Sequence, residues 1–335
     1  MSGDILIVGP SWVGDMVMAQ ALFMRLREQH PDAAIDVLAP GWSLPILARM
    51  PEVRGGIELP LGHGEFGFGV RRRLGLELRA KRYAQAIVLP NSWKSALVPF
   101  FAGIPRRTGY RREFRYGLLN DLRPRDQVLL PTTVQQFLAL AEDRAPTRAP
   151  AIPQPRLRAD AQRIVALQAQ LGLDAQWPAV ALMPGAEYGP AKRWPPEYFA
   201  ELAGRLAAAG RQVWVLGSAK EKELGAAIAQ NRPAIHDLTG RTQLADVVDL
   251  LGAAEAAVSN DSGLMHVAAA AGTRLVAIYG SSSPKMTPPL SDRAQILYLG
   301  IECSPCFERE CPLGHLNCLR QITPEQVLAA VLQGG

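Results

Sequence analysis

Residues 9–15, Gly-Pro-Ser-Trp-Val-Gly-Asp, stand between an apolar run from Ile5 to Val8 and an amphipathic one from Met16 to Leu26. A buried strand, a glycine-bearing turn and a helix with an acid in its first turn together offer a ligand backbone N–H groups and a carboxylate. Asp15 therefore has two readings. It complements the helix dipole, or it is a general base for a hydroxyl brought within ~3 Å. Gly9 and Gly14 do not fit G-x-G-x-x-G, and no Gly-Lys-Ser/Thr follows, so neither a dinucleotide fingerprint nor a Walker loop is present. A sugar or phosphate compound is the ligand class that remains.

A second loop, Met183 to Trp194, leaves a strand and enters a helix near Glu197, carrying Gly185, Ala186, Glu187 and Lys192. Lys192 is either an ordinary exposed loop lysine or the cation that cancels charge building on a departing diphosphate. A third segment, Val258 to Val267, sets Asn260, Asp261, Ser262 and Gly263 at a helix N-terminus, a place apt for phosphate or sugar hydroxyls. Asp261 as a plain N-cap and His266 as a satisfied structural histidine are the competing readings. All four cysteines, Cys303, Cys306, Cys311 and Cys318, fall within sixteen residues, with His315 among them. Their spacing matches neither common two-pair zinc pattern, and a reducing cytosol disfavours disulfides. No metal is assigned.

The elements that must position these residues alternate as β and α. In the first half, Ile35–Leu38 and Ala86–Leu89 join Ile5–Val8 as short apolar strands, which argues for a parallel sheet covered on both faces. Residues 60–69 hold too many glycines for a regular element and read as a mobile loop near a cleft. Four prolines between Arg144 and Pro155 make that stretch the linker between two domains, 1–155 and 156–335. Alternation then restarts with strands 180–183, 212–216, 235–238, 257–259 and 275–279. Helices are expected over 197–209, from about 218, and over 244–251 and 264–271. Thr323-Pro-Glu-Gln326 starts a terminal helix of about 323–333, expected to pack back on the first domain. The fold class is thus α/β, two doubly wound domains facing across a cleft that holds the site.

At 335 residues, 48% hydrophobic and 20% charged, the chain has an ordinary globular composition with room for two cores. No run reaches the ~18 to 20 apolar residues of a membrane span, and a secretory pattern is absent. A cytoplasmic protein is expected. Residues 1–150 carry 20 Lys and Arg against 14 Asp and Glu, whereas the remainder carries 16 against 17. Arginines cluster at 71–73, 106–107, 111–115 and 123–125. They form either a solvated basic surface or a face for an anionic partner. Nucleic acid is not expected, for no stacking motif, zinc finger or helix-turn-helix accompanies them.

The stretches 9–16, 89–105, 184–195 and 259–266 together resemble the lipopolysaccharide heptosyltransferases of glycosyltransferase family 9, and the likeness spans nearly the whole chain. It implies a GT-B fold of two Rossmann-like domains, with the acceptor on the first domain and ADP-heptose on the second. The implied reaction needs neither cofactor nor metal. It transfers heptose with inversion to the first heptose of the Kdo-lipid A inner core. By that likeness Asp15 is the catalytic carboxylate, with Ser11 and Gly14 in the same turn. Lys192 is the phosphate-binding lysine, and Asp261, Ser262 and Gly263 form the donor-contacting loop, with Gly185, Ala186, Glu187 and His266 beside them. Glu221, with Lys220 as the alternative, is the candidate for the adenosine ribose. The acceptor's lipid implies peripheral contact with the cytoplasmic face of the inner membrane. Rival readings are an enzyme of the same family acting on Kdo, a sugar-nucleotide epimerase of the same architecture, and a non-enzymatic anion-binding protein.

Overall fold

The computed structural model describes residues 3–62 and 64–333. The chain divides into two units, Met1–Pro155 and Arg156–Gly335.

The first unit is built on β1 (Ile5–Val8), α1 (Val13–Gln29), β2 (Ile35–Ala39), α2 (Leu44–Leu47), β3 (Val53–Glu58), α3 (Phe68–Leu78), β4 (Gln85–Val88), α4 (Leu97–Phe101), β5 (Arg106–Tyr110), β6 (Asp121–Arg123) and α5 (Thr133–Ala139). Its six strands are parallel, in the order β3-β2-β1-β4-β5-β6. β1 is wholly buried, with Ile5 to Val8 opposite Ile35 to Leu38 on one side and Gln85 to Val88 on the other. That burial explains its uninterrupted apolar run. Winding proceeds outward from β1 in one direction, then restarts on its other side at β4. The crevice at the carboxyl ends of β1 and β4 is where such a sheet leaves loops free to meet a ligand. α1 starts three residues earlier than its amphipathic run, and it is buried on most sides, packed against α5.

Much of the arginine excess is spent inside this unit. Arg71 is buried and its Nε donates to the Phe66 carbonyl at 2.7 Å. Arg106 pairs with Asp121 (3.0 Å) and Asp143 (2.8 Å), and Arg107 donates to the carbonyls of Leu118 and Ile104. Arg115 is buried and donates to the carbonyls of Pro90 (2.7 Å) and Tyr110 (2.5 Å). Arg123 pairs with Asp121 at 2.6 Å. These five arginines belong to neither a solvated basic surface nor an anion-binding face. The chain turns guanidinium groups inward because carbonyls at loop ends need donors. Arg72, Arg73, Arg111 and Arg112 remain exposed.

No helix or strand occupies the proline-rich stretch 144–155. The second unit contains α6 (Ala161–Leu171), β7 (Ala179–Met183), α7 (Pro196–Ala208), β8 (Gln212–Val215), α8 (Lys222–Ala229), β9 (Ile235–Asp237), α9 (Leu244–Ala253), β10 (Ala256–Asn260), α10 (Gly263–Ala270), β11 (Arg274–Tyr279), β12 (Ala294–Tyr298), α11 (Asn317–Arg320) and α12 (Pro324–Leu332). Its sheet repeats the first plan, parallel throughout in the order β12-β11-β10-β7-β8-β9. The reversal falls between β7 and β10. Thr323 caps α12 in a capping box with Gln326. That helix gives Val327, Ala330 and Val331 to the core beside α7, where its apolar face helps to cover this sheet.

Arg115 ties the loop after β4 to the end of β5, so its loss takes a donor from the buried Tyr110 carbonyl and leaves the Pro90 carbonyl with the Ser95 hydroxyl alone. Arg115→Ala is expected to lower the unfolding free energy by about 3 kcal/mol in urea denaturation. An unchanged midpoint would show that those carbonyls find other donors at no cost.

Candidate active site

The carboxyl edge of the first sheet encloses a cavity of about 820 Å³, a volume typical of ligand sites. Ser11 and Asp15 line it from the turn after β1, Asn91 and Ser92 from the loop after β4, and Arg125 from the loop beyond β6. Gly9 makes the turn close enough: a Cβ there would lie 2.7 Å from the Met16 terminal methyl. Gly14 is buried in the first turn of α1, and Asp15 follows it, half-buried at the positive end of the helix. Asn91 Oδ1 and Arg125 Nε are buried with no hydrogen-bond partner among the described residues. The wall thus presents an acceptor and a cationic donor left for a ligand or water to satisfy.

In the second unit the loops after β7, β8, β10 and β11 converge. Asn260, the last residue of β10, is fully buried and clamps the β7 loop at both ends. Its Nδ2 donates to the Pro184 carbonyl at 2.7 Å and its Oδ1 accepts from the Trp194 backbone N–H at 2.9 Å. Its amide is therefore committed to the backbone, and the expectation that it contacts a ligand is corrected. The Trp194 indole donates to the Ile322 carbonyl at 2.8 Å, which anchors the loop's far end in the core.

Within this clamped loop the Lys192 Nζ donates to Asp261 Oδ2 at 2.5 Å, and both side chains are largely withdrawn from water. The ammonium also lies 5.0 Å from the centre of the Tyr188 ring. Lys192 is therefore not an ordinary surface lysine. Asp261 is not the N-cap either: that position belongs to Ser262, whose side chain makes no cap bond, so it blocks none of the first amides of α10. The Ser282 hydroxyl donates to the same Asp261 oxygen. Sequence reasoning missed Ser282, whose only signal was a run of serines directly after strand β11. His266, on the first turn of α10, is buried, and burial pushes its imidazole down to about 4, which keeps it neutral near pH 7.

Glu221 lies against the β7 loop. A Cβ on Gly185 would lie 1.8 Å from its carboxylate oxygen, so any larger residue there would have to displace Glu221. The same carboxylate accepts from the Ser218 backbone N–H at 2.6 Å. Lys220 instead pairs with exposed Glu187 at 2.8 Å. Gly185, Ala186, Glu221, Asp261, Ser262 and Gly263 thus gather at the carboxyl ends of β7, β8 and β10, while Glu187 stands at the exposed rim.

The cysteine segment supports the lysine loop from below. The Ala191 N–H donates to the Arg309 carbonyl at 3.0 Å, and the Phe307 N–H to the Ser281 carbonyl at 2.7 Å. All four cysteines are free thiols lining one small cavity of about 20 Å³. Burial would raise the Cys311 thiol, yet backbone N–H groups of residues 313–316 outweigh it and lower the pKa, whereas burial raises that of Cys318. Among the described residues no three or more His, Cys, Asp or Glu are grouped as metal ligands would be.

A family model described as glycosyltransferase family 9 (heptosyltransferase) matches residues 71–317. The chain is 49% identical, over 97% of its length and 96% of the relative's, to lipopolysaccharide heptosyltransferase 2 of Escherichia coli (strain K12). It is 47% identical to lipooligosaccharide heptosyltransferase 2 of Haemophilus influenzae, with 97% of each chain covered. The solved structure of E. coli ADP-heptose lps heptosyltransferase II matches with a TM-score of 0.88 at 46% identity, covering 99% of both chains. The expected α/β, GT-B fold class is borne out.

A histidine held neutral in the fold stabilises it above its unfolded pKa of ~6.5, and this contribution is lost as pH falls toward about 4. The melting temperature should therefore drop across that window, and His266→Asn should flatten the drop. Equal pH slopes in both proteins would contradict the burial argument.

Proposed function

The chain belongs to glycosyltransferase family 9, the heptosyltransferases, and on that footing we propose that it moves heptose from ADP-L-glycero-D-manno-heptose to the first heptose of the lipopolysaccharide inner core, with inversion at the anomeric carbon. The observation that carries this reading is the buried Lys192–Asp261 pair beside the uncapped start of α10.

In an inverting transfer the acceptor hydroxyl attacks the anomeric carbon as the bond to the diphosphate breaks. Its proton goes to the Asp15 carboxylate, and the electron pair leaves with ADP. Negative charge grows on the diphosphate as this happens. Lys192, rather than a metal ion, supplies the compensating charge, and the first amides of α10 add N–H donors. Asp261, itself held by the Ser282 hydroxyl, keeps the ammonium in place so that little reorganisation is needed at that moment. Glu221, against Gly185, is the carboxylate for the ribose hydroxyls. The proposed base stands in the first unit and the donor's counter-charge in the second.

On the acceptor side, the Arg125 guanidinium and Asn91 carbonyl suit the anionic and hydroxyl groups of an inner-core sugar. Such an acceptor is anchored in a bilayer, so the enzyme works at the cytoplasmic face of the inner membrane by peripheral contact. Among the described residues no helix is long and apolar enough to cross a membrane.

Incubation with ADP-heptose and heptosyl-Kdo2-lipid A should add the mass of one heptose to the acceptor. Asp15→Asn should lower kcat by roughly 10²- to 10⁴-fold while leaving donor affinity unchanged. Full activity in that variant would sink the base assignment.

A further inference from the structure

The rim of the first unit's cavity carries an unusual surface. Phe66, Phe68 and Trp93 are 42–47% exposed, yet they touch: the Phe66 ring lies 5.1 Å from Trp93 and 5.9 Å from Phe68. The Lys94 Nζ holds the two loops together by donating to the Gly64 carbonyl at 2.8 Å. The Trp93 backbone N–H donates to Glu113 Oε2 at 3.0 Å, which brings the loop between β5 and β6 to the same edge. That loop presents Phe114 at 91% exposure, with Glu113 and Phe114 both in the left-handed region that non-glycine residues avoid. A turn that strains its backbone to hold a phenyl ring in water has found no partner within this unit.

Charge adds a second argument. Arg72 and Arg73, and Arg111 and Arg112, flank the aromatic rings and are exposed. On the same stretches stand Glu65, Glu77 and Glu113, of which Glu77 pairs with Arg73 and Glu113 is held by the Trp93 N–H. Aromatic rings interleaved with arginines match a bilayer interface, where rings sit at headgroup level and cations meet anionic lipid.

We propose that this rim, with Phe66, Phe68, Trp93 and Phe114 between the two arginine pairs, docks the first unit on an anionic bilayer. The inference rests on the membrane-anchored acceptor proposed above and assigns the surface that reaches it. The cavity shares residues 62, 64 and 65 with the rim, so docking would set its mouth against the headgroups from which a lipid-anchored sugar projects.

Co-sedimentation with vesicles of phosphatidylglycerol and phosphatidylethanolamine, with phosphatidylcholine vesicles as control, tests the assignment on the full chain. Wild type should bind the anionic vesicles and lose affinity as salt rises. Trp93→Ser with Phe114→Ser should weaken binding roughly tenfold or more. Arg111→Gln with Arg112→Gln should weaken it about fivefold per arginine. Turnover of a soluble, deacylated acceptor should be unchanged in both double variants, which also shows that they fold. Equal vesicle binding by wild type and variants would overturn the proposal, as would a wild-type dimer that both variants dissociate and that ignores vesicles. Vesicle binding by a wild type unable to turn over any acceptor would uphold docking and overturn the transferase reading instead.

Discussion

An ammonium and a carboxylate withdrawn from water together are stable only when a rigid frame keeps them in contact and other groups satisfy what remains of their hydrogen-bonding capacity. The Lys192–Asp261 pair sets that requirement for the second unit. Asn260 holds the lysine loop at both ends, Trp194 roots it in the core, and the cysteine segment supports Ala191 from beneath. Ser282 adds a second donor to the aspartate oxygen that Lys192 holds. A loop rich in glycine and proline would otherwise sample many conformations. Here its charge is fixed before a substrate arrives, which is the condition for electrostatic catalysis.

The two units share one topological rule and use it differently. In each sheet the winding reverses beside the first strand, and most of the candidate site residues follow the carboxyl ends of the strands flanking that reversal. The first unit leaves an open cavity of about 820 Å³ with unsatisfied polar groups in its wall. The second packs a buried ion pair, Lys192 with Asp261, beside the free backbone amides at the start of α10. A bulky sugar acceptor suits the former, and a compact diphosphate the latter.

The turn from Gly9 to Asp15, the lysine loop and the Asp261 loop were legible because each interrupts an apolar strand with residues that a buried chain would not carry without reason. Strands β3, β5, β6 and β12 were not. β5 begins with Arg106 and Arg107, which read as polar surface until Asp121 and the carbonyls of Leu118 and Ile104 are seen to face them. The basic first half was only partly legible for the same reason, since a charge count cannot distinguish an arginine that faces solvent from one that closes a loop. Asn260 shows the converse error: a side chain suited to a ligand is consumed by the backbone. Pairings between residues such as 192 and 261, or 261 and 282, leave no local spacing to read. They follow only from the order of the strands.

The account's central claim is that the Lys192 charge serves the departing diphosphate and does more than steady the loop. Single-turnover rates of Lys192→Met, measured at saturating ADP-heptose together with its melting temperature, test this most directly. The account predicts a fall in the chemical step of roughly 10²- to 10³-fold in a protein that remains folded. A variant that melts earlier yet transfers heptose at the wild-type rate would contradict it.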